Sequence, residues 1–200
     1  MAPDVVILNF AVESRGDSVA VARAEAAQAM TDVLASVQAN GVLERDIQTT
    51  GFRIQPITVF EEVLRGGIRQ REPKIIGYEV TNSATAKIRL LGTVGVVIDE
   101  LAEAGGDTIR INGISFSVDN PKPLEIEARD LAIRDAMAKA GQIAGVAGVT
   151  LGPAVFISER SSTALNQESS VLRMDSALSS PIVAGELDVS IRVQVVFSIR

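Results

Sequence analysis

The longest stretch of regular alternation sets the architecture. Across residues 75–90 apolar side chains recur at every second position: Ile76, Tyr78, Val80, Ala84, Ala86, Ile88 and Leu90 share one face against Glu79, Thr81, Ser83, Thr85, Lys87 and Arg89. A period of two marks a strand with one face on a core. Residues 47–60 alternate in the same way, with Phe52 and Ile54 opposed by Thr49, Arg53 and Gln55. Residues 61–74 between them are polar and carry Gly66-Gly67, so 47–90 reads as one long β-hairpin arm with a charged tip. At about 3.3 Å per residue, strands of roughly 12 to 16 residues run roughly 40 to 50 Å, against a typical 17 to 20 Å. A compact domain of 200 residues cannot cover such a hairpin, so part of it is expected to protrude and to need a partner, the alternative being that bulges break the strands into ordinary lengths. The simplest partner is a second copy of the same chain.

The flanking segments supply a core. Val6, Leu8, Phe10 and Val12 alternate in a first strand, and a turn is expected at residues 14–18. A helix over about residues 19–39 follows, capped by Asp17 or Ser18, striped with Ala26, Ala29, Met30, Val33 and Val37, and stopped by Asn40 and Gly41. After the hairpin, Thr93 opens a short helix with Val94, Val97, Ile98 and Leu101 on one stripe, ending at Gly105-Gly106. The strand at 109–118 changes phase near Gly113, which points to a bulge. The longest helix, 122–147, carries Ala128, Ala132, Ala136, Ala140, Ile143 and Ala147 as a small-residue stripe. A strand at 153–159, an irregular Ser-rich loop at 160–184 and a sharp terminal strand alternating from Val189 to Ile199 complete the chain. The order predicts an α+β fold with a ferredoxin-like βαββαβ start, then a long helix and two further strands, within a single domain spanning 1–200.

Composition narrows the chemistry. The sequence has no histidine, cysteine or tryptophan. Ser-His-Asp and Cys-His mechanisms are therefore impossible, as are His/Cys zinc sites and disulfides. A formal charge of −6 and 4% aromatic residues disfavour a nucleic-acid surface. No apolar run is long enough for a transmembrane helix. No Gly-Lys-Ser or Gly-Lys-Thr triple supports a phosphate cradle, so the glycine pairs read as turns and helix stops. No catalytic residue, cofactor or metal site is expected, and the chain reads as non-enzymatic.

A few clusters merit weighing. Asp99 and Glu103 stand one turn apart on the short helix, a spacing that suits a hard cation or acid-base work, although an exposed helix face carries such pairs routinely. On the long helix, Glu125, Glu127, Arg129, Asp130, Arg134 and Asp135 read as a solvated face with local ion pairs, with Asp135 a structural acceptor if it faces the small residues. Arg65, Arg69, Arg71 and Lys74 make the hairpin tip locally basic, either to keep edges apart or to meet an acidic surface on a neighbouring subunit or an anionic lipid. The candidate self-association contacts are Ile76, Tyr78 and Val80 on the hairpin face with Arg65, Arg69 and Arg71 at its tip.

An ordered set of short matches resembles the SIMPL-domain family. It runs from Pro3-Asp4 through Gly41, Asp46-Ile47-Gln48-Thr49, Gly77-Tyr78 with Asn82, and Gly113-Ile114-Ser115-Phe116. It continues with Ala147-Gly148-Val149, Leu151-Gly152, Ser158-Glu159, and Pro181-Ile182 with Gly185-Glu186-Leu187. Gln55-Pro56 and Glu72-Pro73 resemble its periplasmic immunogenic branch in Gram-negative bacteria. The resemblance implies an exported protein, its leader absent from this chain, located in the periplasm or loosely at the outer membrane. It further implies a large, channel-like homo-oligomer loosely associated with envelope or oxidative stress, and it carries over no catalytic residues. Residues 61–74 and 160–184 depart from the family pattern. The alternative is a periplasmic module that binds a small ligand or client protein, with 160–184 as a lid; a weaker one is a hydrolase built on Asp99 and Glu103.

Overall fold

A computed structural model of the chain describes residues 1–66, 68–161, 166–168, 182 and 184–200. The fold is α+β. The described residues divide into two compact units, one of residues 4–116 with 182, the other of residues 1–3, 117–161, 166–168 and 184–200.

The first unit contains β1 (Val5–Gly16), α1 (Val19–Ala39), β2 (Ile47–Arg65), β3 (Ile68–Ile88), α2 (Val94–Gly105) and β4 (Ile109–Ser117). Its sheet runs in the order β2-β3-β1-β4, with β3 antiparallel to both β1 and β2. In the β1–β3 ladder Val6 faces Ile88, Leu8 faces Ala86 and Phe10 faces Ala84, and all six are buried. Helix α1 packs over these two strands and against α2. It contributes Ala22, Ala26, Met30, Val33 and Val37, and α2 contributes Val94, Val97 and Leu101. Burying each large apolar side chain contributes about 1.5–3 kcal/mol, which is what holds the helices on the sheet.

Local signals place the helix ends. The Ser18 hydroxyl accepts from the Val21 N–H at 3.3 Å, and Gly41, at φ +83°, takes the left-handed turn that ends α1. Close approach of the two helices depends on Gly105. A Cβ there would lie 2.6 Å from the Ile109 Cβ and 3.1 Å from a Val33 methyl.

Two expectations need correction, and one position falls where the sequence puts it. The turn expected from Ser14 does not form there. β1 continues to Gly16, and the Ser14 hydroxyl, buried beside Val80, donates to Glu25 at 2.6 Å. The polar tip of 61–74 is mostly strand, because the ladder continues to Arg65 opposite Ile68 and only then turns through Gly66 at φ +60°. The phase change in β4 falls at Gly113, which adopts φ +138°, a backbone shape that side chains rarely permit.

In the second unit α3 (Lys122–Ala147) packs on a two-stranded antiparallel sheet of β5 (Leu151–Ser161) and β8 (Ile191–Ile199). The small-residue stripe follows Ala128, Ala132, Ala136 and Ala140 into Ala144, which is the buried residue. Ile143 and Ala147, read as part of that stripe, are exposed, since a spacing of four continues to 144. The terminal strand is interrupted. β7 (Glu186–Asp188) pairs with β6 (Asn166–Glu168), and β8 begins only at Ile191. The Leu187 N–H donates to the Met1 carbonyl at 2.8 Å, tying the chain start to β7. Most of the 160–184 segment lies outside the described residues.

Gly105→Ala is expected to lower stability by about 1–3 kcal/mol, measured as a lower urea midpoint at unchanged slope. Gly92→Ala, whose Cβ would meet nothing within 4 Å, serves as the neutral control.

Candidate interaction surface

The hairpin outgrows its sheet. β2 has 19 residues and β3 has 21, but β1 accompanies β3 only as far as Gly16 opposite Tyr78. Beyond that point residues 57–65 and 68–77 form a two-stranded arm, roughly 30 Å long at about 3.3 Å per residue. Over this length β3 pairs with β2 alone among the described residues.

The base of the arm is clamped across three strands. Arg15, Glu79 and Gln55 stand in one row by register. Glu79 accepts from the Arg15 guanidinium at 2.8 Å and from the Gln55 amide at 2.8 Å. These two hydrogen bonds hold its carboxyl below the usual carboxylate range. Next to the clamp Gly77 leaves room for the backbone of β1, since a Cβ would sit 2.9 Å from the Gly16 carbonyl oxygen. A second cross-element pair, Arg89 to Asp46 at 2.8 Å, likewise lowers the Asp46 pKa.

One extra residue separates arm from core. Ile57 faces Gly77 and Thr58 faces Ile75, so Ile76 is unpaired in β3. This β-bulge exchanges the faces of β3 relative to β2. Thr58, Phe60, Glu62 and Leu64 consequently share a face with Ile75, Pro73, Arg71 and Arg69. An exposed apolar row runs along that side of β2, with Phe52 at 55%, Ile54 at 41%, Phe60 at 64% and Leu64 at 71%. An exposed apolar row on an edge strand makes this side of β2 the candidate interaction surface.

The predicted contact residues part company here. Ile76 is half exposed at the bulge and Tyr78 is half-buried at the arm base. Val80 is fully buried, because it lies beside Ser14 of β1 in the part of the sheet that α1 covers. It cannot contact a partner. Arg69 lies 3.9 Å from Glu62, Arg71 faces Glu62 in register, and Lys74 holds Glu61 at 2.8 Å. The tip is thus a cross-strand alternation of charges rather than a cationic patch. The side chain of Arg65 lies outside the described residues. The sequence reading missed Phe52, Ile54, Phe60 and Leu64 as a set. Their spacing of two was the available signal, together with the edge position of β2.

Glu103 is exposed, Glu100 accepts from Asn40 at 2.6 Å, and no group of three potential metal ligands occurs among the described residues. Asp135 faces solvent and pairs with Lys139 at 2.6 Å instead of accepting inside the helix interface. Arg129 reaches Glu159 of β5 at 2.6 Å. A cleft of about 460 Å³ opens where the end of β1 meets α1 and the turn before β4, lined by Glu13, Arg15, Glu25, Asp32, Asp107 and Arg110 among others. Much of its charge is internally paired, Arg110 to Glu13 at 2.9 Å and Glu25 to Ser14. No helix among the described residues is long and apolar enough to cross a membrane.

Lowered carboxylate pKa values fix the sign of the acid response. Glu79 and Asp46 release their protons more readily when folded, so their stabilisation is complete above the ordinary carboxylate range and is lost as pH falls through the lowered values. Stability is expected to decline from about pH 4.5 downward. Arg15→Gln is expected to cost about 1 kcal/mol or less at neutral pH and to make that decline shallower, as followed by urea melts across pH.

Residues 1–197 match the SIMPL family, described as a protein of unknown function (DUF541). The chain is similar to the 26 kDa periplasmic immunogenic protein of Brucella melitensis, at 37% identity over 99% of this chain and 80% of that protein. The protein of the same name from Brucella abortus is equally similar, at 37% identity with the same coverage. An uncharacterized protein YggE of Escherichia coli K12 is 24% identical over 92% of this chain and 70% of its own length. With nearly its whole length matched, the chain belongs to the SIMPL family.

Proposed function

We propose that this protein is a non-enzymatic cell-envelope component whose functional form is a homo-oligomer assembled through its long strands. The observation that carries this reading is the exposed apolar row Phe52, Ile54, Phe60 and Leu64 on a strand whose outer edge has no partner among the described residues. Leaving that row in water costs free energy that association recovers, and an arm of roughly 30 Å places it where a neighbour can reach it. The element order and the strand order β2-β3-β1-β4 support a ferredoxin-like split unit as the core of one SIMPL domain spanning both compact units. The periplasmic name of the Brucella relatives supports an envelope location, in the periplasm or loosely at the outer membrane, and a role in envelope or oxidative stress is part of the same family expectation. Assembly into a large, channel-like ring is the fullest form of the reading. The paired tip charges leave little net positive charge for peripheral contact with anionic lipid, which favours a protein partner.

A second reading, a module that binds a small ligand or client protein, draws on the cleft beside Arg15 and Arg110. Its internally paired charges give a ligand few open contacts, so it stands behind assembly.

Light scattering of the purified chain is expected to give a mass several times 21.1 kDa across the micromolar range. Phe60→Asp with Leu64→Asp is expected to reduce that mass severalfold while circular dichroism stays unchanged. A wild-type monomer throughout would overturn the reading.

A further inference from the structure

Self-assembly leaves open which surfaces meet, and β2 answers from its own sequence. It is the outer strand of the sheet, and its edge away from β3 has no partner among the described residues over 19 positions. The irregularity in β2 itself lies between Thr49 and Gly51; at Ile57 and Thr58 the extra residue belongs to β3, so β2 is regular from Gly51 to Arg65. A regular edge strand can pair with a second copy of itself about a two-fold axis perpendicular to the sheet. That symmetry keeps each face on its own side, so only residues of the same face stand opposite one another.

Charge selects the register. Arg53 is exposed and makes no hydrogen bond or ion pair with the other described residues. Glu61 lies on the same face of β2, with Lys74 bonded to its Oε1 and its second oxygen open to another cation. Glu62 lies on the opposite face and is engaged with Arg69. The symmetric register that sets Arg53 against a carboxylate has Ile57 on the axis. In that register Ile54 stands opposite Phe60, two of the exposed apolar residues covering each other, and Gln55 stands opposite Val59. Shifting the axis one residue toward Thr58 sets Ile54 against Glu62, and one residue toward Pro56 sets Gly51 against Glu61. Pro56 has no N–H to offer, so side-chain matching rather than the hydrogen-bond ladder carries the choice.

We propose that two copies of this chain associate edge to edge through β2, antiparallel, with the two-fold axis at Ile57 and reciprocal Arg53–Glu61 ion pairs on either side. This rests on the self-assembly reading and names the building contact within it. Closing the free edge on itself also blocks open-ended strand addition.

The natural absence of cysteine makes the test direct. Residues directly opposite across a ladder fall within disulfide range. Ile57→Cys in the full chain is expected to convert under mild oxidant to a covalent species of twice the chain mass. Gln55→Cys alone and Val59→Cys alone are expected not to cross-link, and an equimolar mixture of the two is. Arg53→Glu is expected to lower the scattering mass severalfold, with Glu61→Arg in the same chain restoring it. Assembly by light scattering without a cross-link in the Ile57→Cys variant, or with cross-linking of Gln55→Cys alone, would overturn this contact and leave self-assembly standing. A wild-type monomer would overturn both.

Discussion

The antiparallel register of β1 with β3 is the constraint on which the rest depends. Because side chains alternate across a strand, a slip of one residue would turn Val80, Ala84, Ala86 and Ile88 away from α1 and bring Thr81, Ser83, Thr85 and Lys87 into the core. Phe10 opposite Ala84 and Leu8 opposite Ala86 pair large residues with small ones, so the facing positions interlock in one alignment. With this ladder fixed, α1 has a surface to cover, α2 has α1 to lean on, and the hairpin has a rigid base.

β3 therefore carries two environments in a single strand. From Tyr78 onward it is the interior of a small α+β unit; before Ile76 it pairs with β2 alone among the described residues. The bulge and the Arg15–Glu79–Gln55 row mark the change. Core and arm can in this way follow different face patterns without either compromising the other.

Much of this was legible in the residues. Strict alternation fixed the strands from Val6 to Val12 and from Val80 to Ile88, and the apolar stripe of α1 was read almost position for position. Three features were not. Ser14 looks like a turn residue until Glu25, eleven positions away, supplies a partner for its hydroxyl. The charges of 61–74 resemble a loop because their compensation is cross-strand, Glu61 with Lys74 and Glu62 with Arg69, and periodicity along one strand does not report its opposite. Among the candidate contacts Val80 is buried while Phe52 on the neighbouring strand is exposed, because alternation gives the face of a residue but not the rank of its strand in the sheet; the two alternate alike, yet one strand is central and the other at the edge.

The arm also has a mechanical meaning. It is a direct continuation of β3, which joins β1 through eleven consecutive residue pairs from Gly16–Tyr78 to Val6–Ile88. Tension applied along the arm would load that ladder in shear, all its perpendicular hydrogen bonds sharing the force at once, instead of opening them one after another like a zipper. Any object built by joining such arms would be fastened to the strongest direction of each subunit's core.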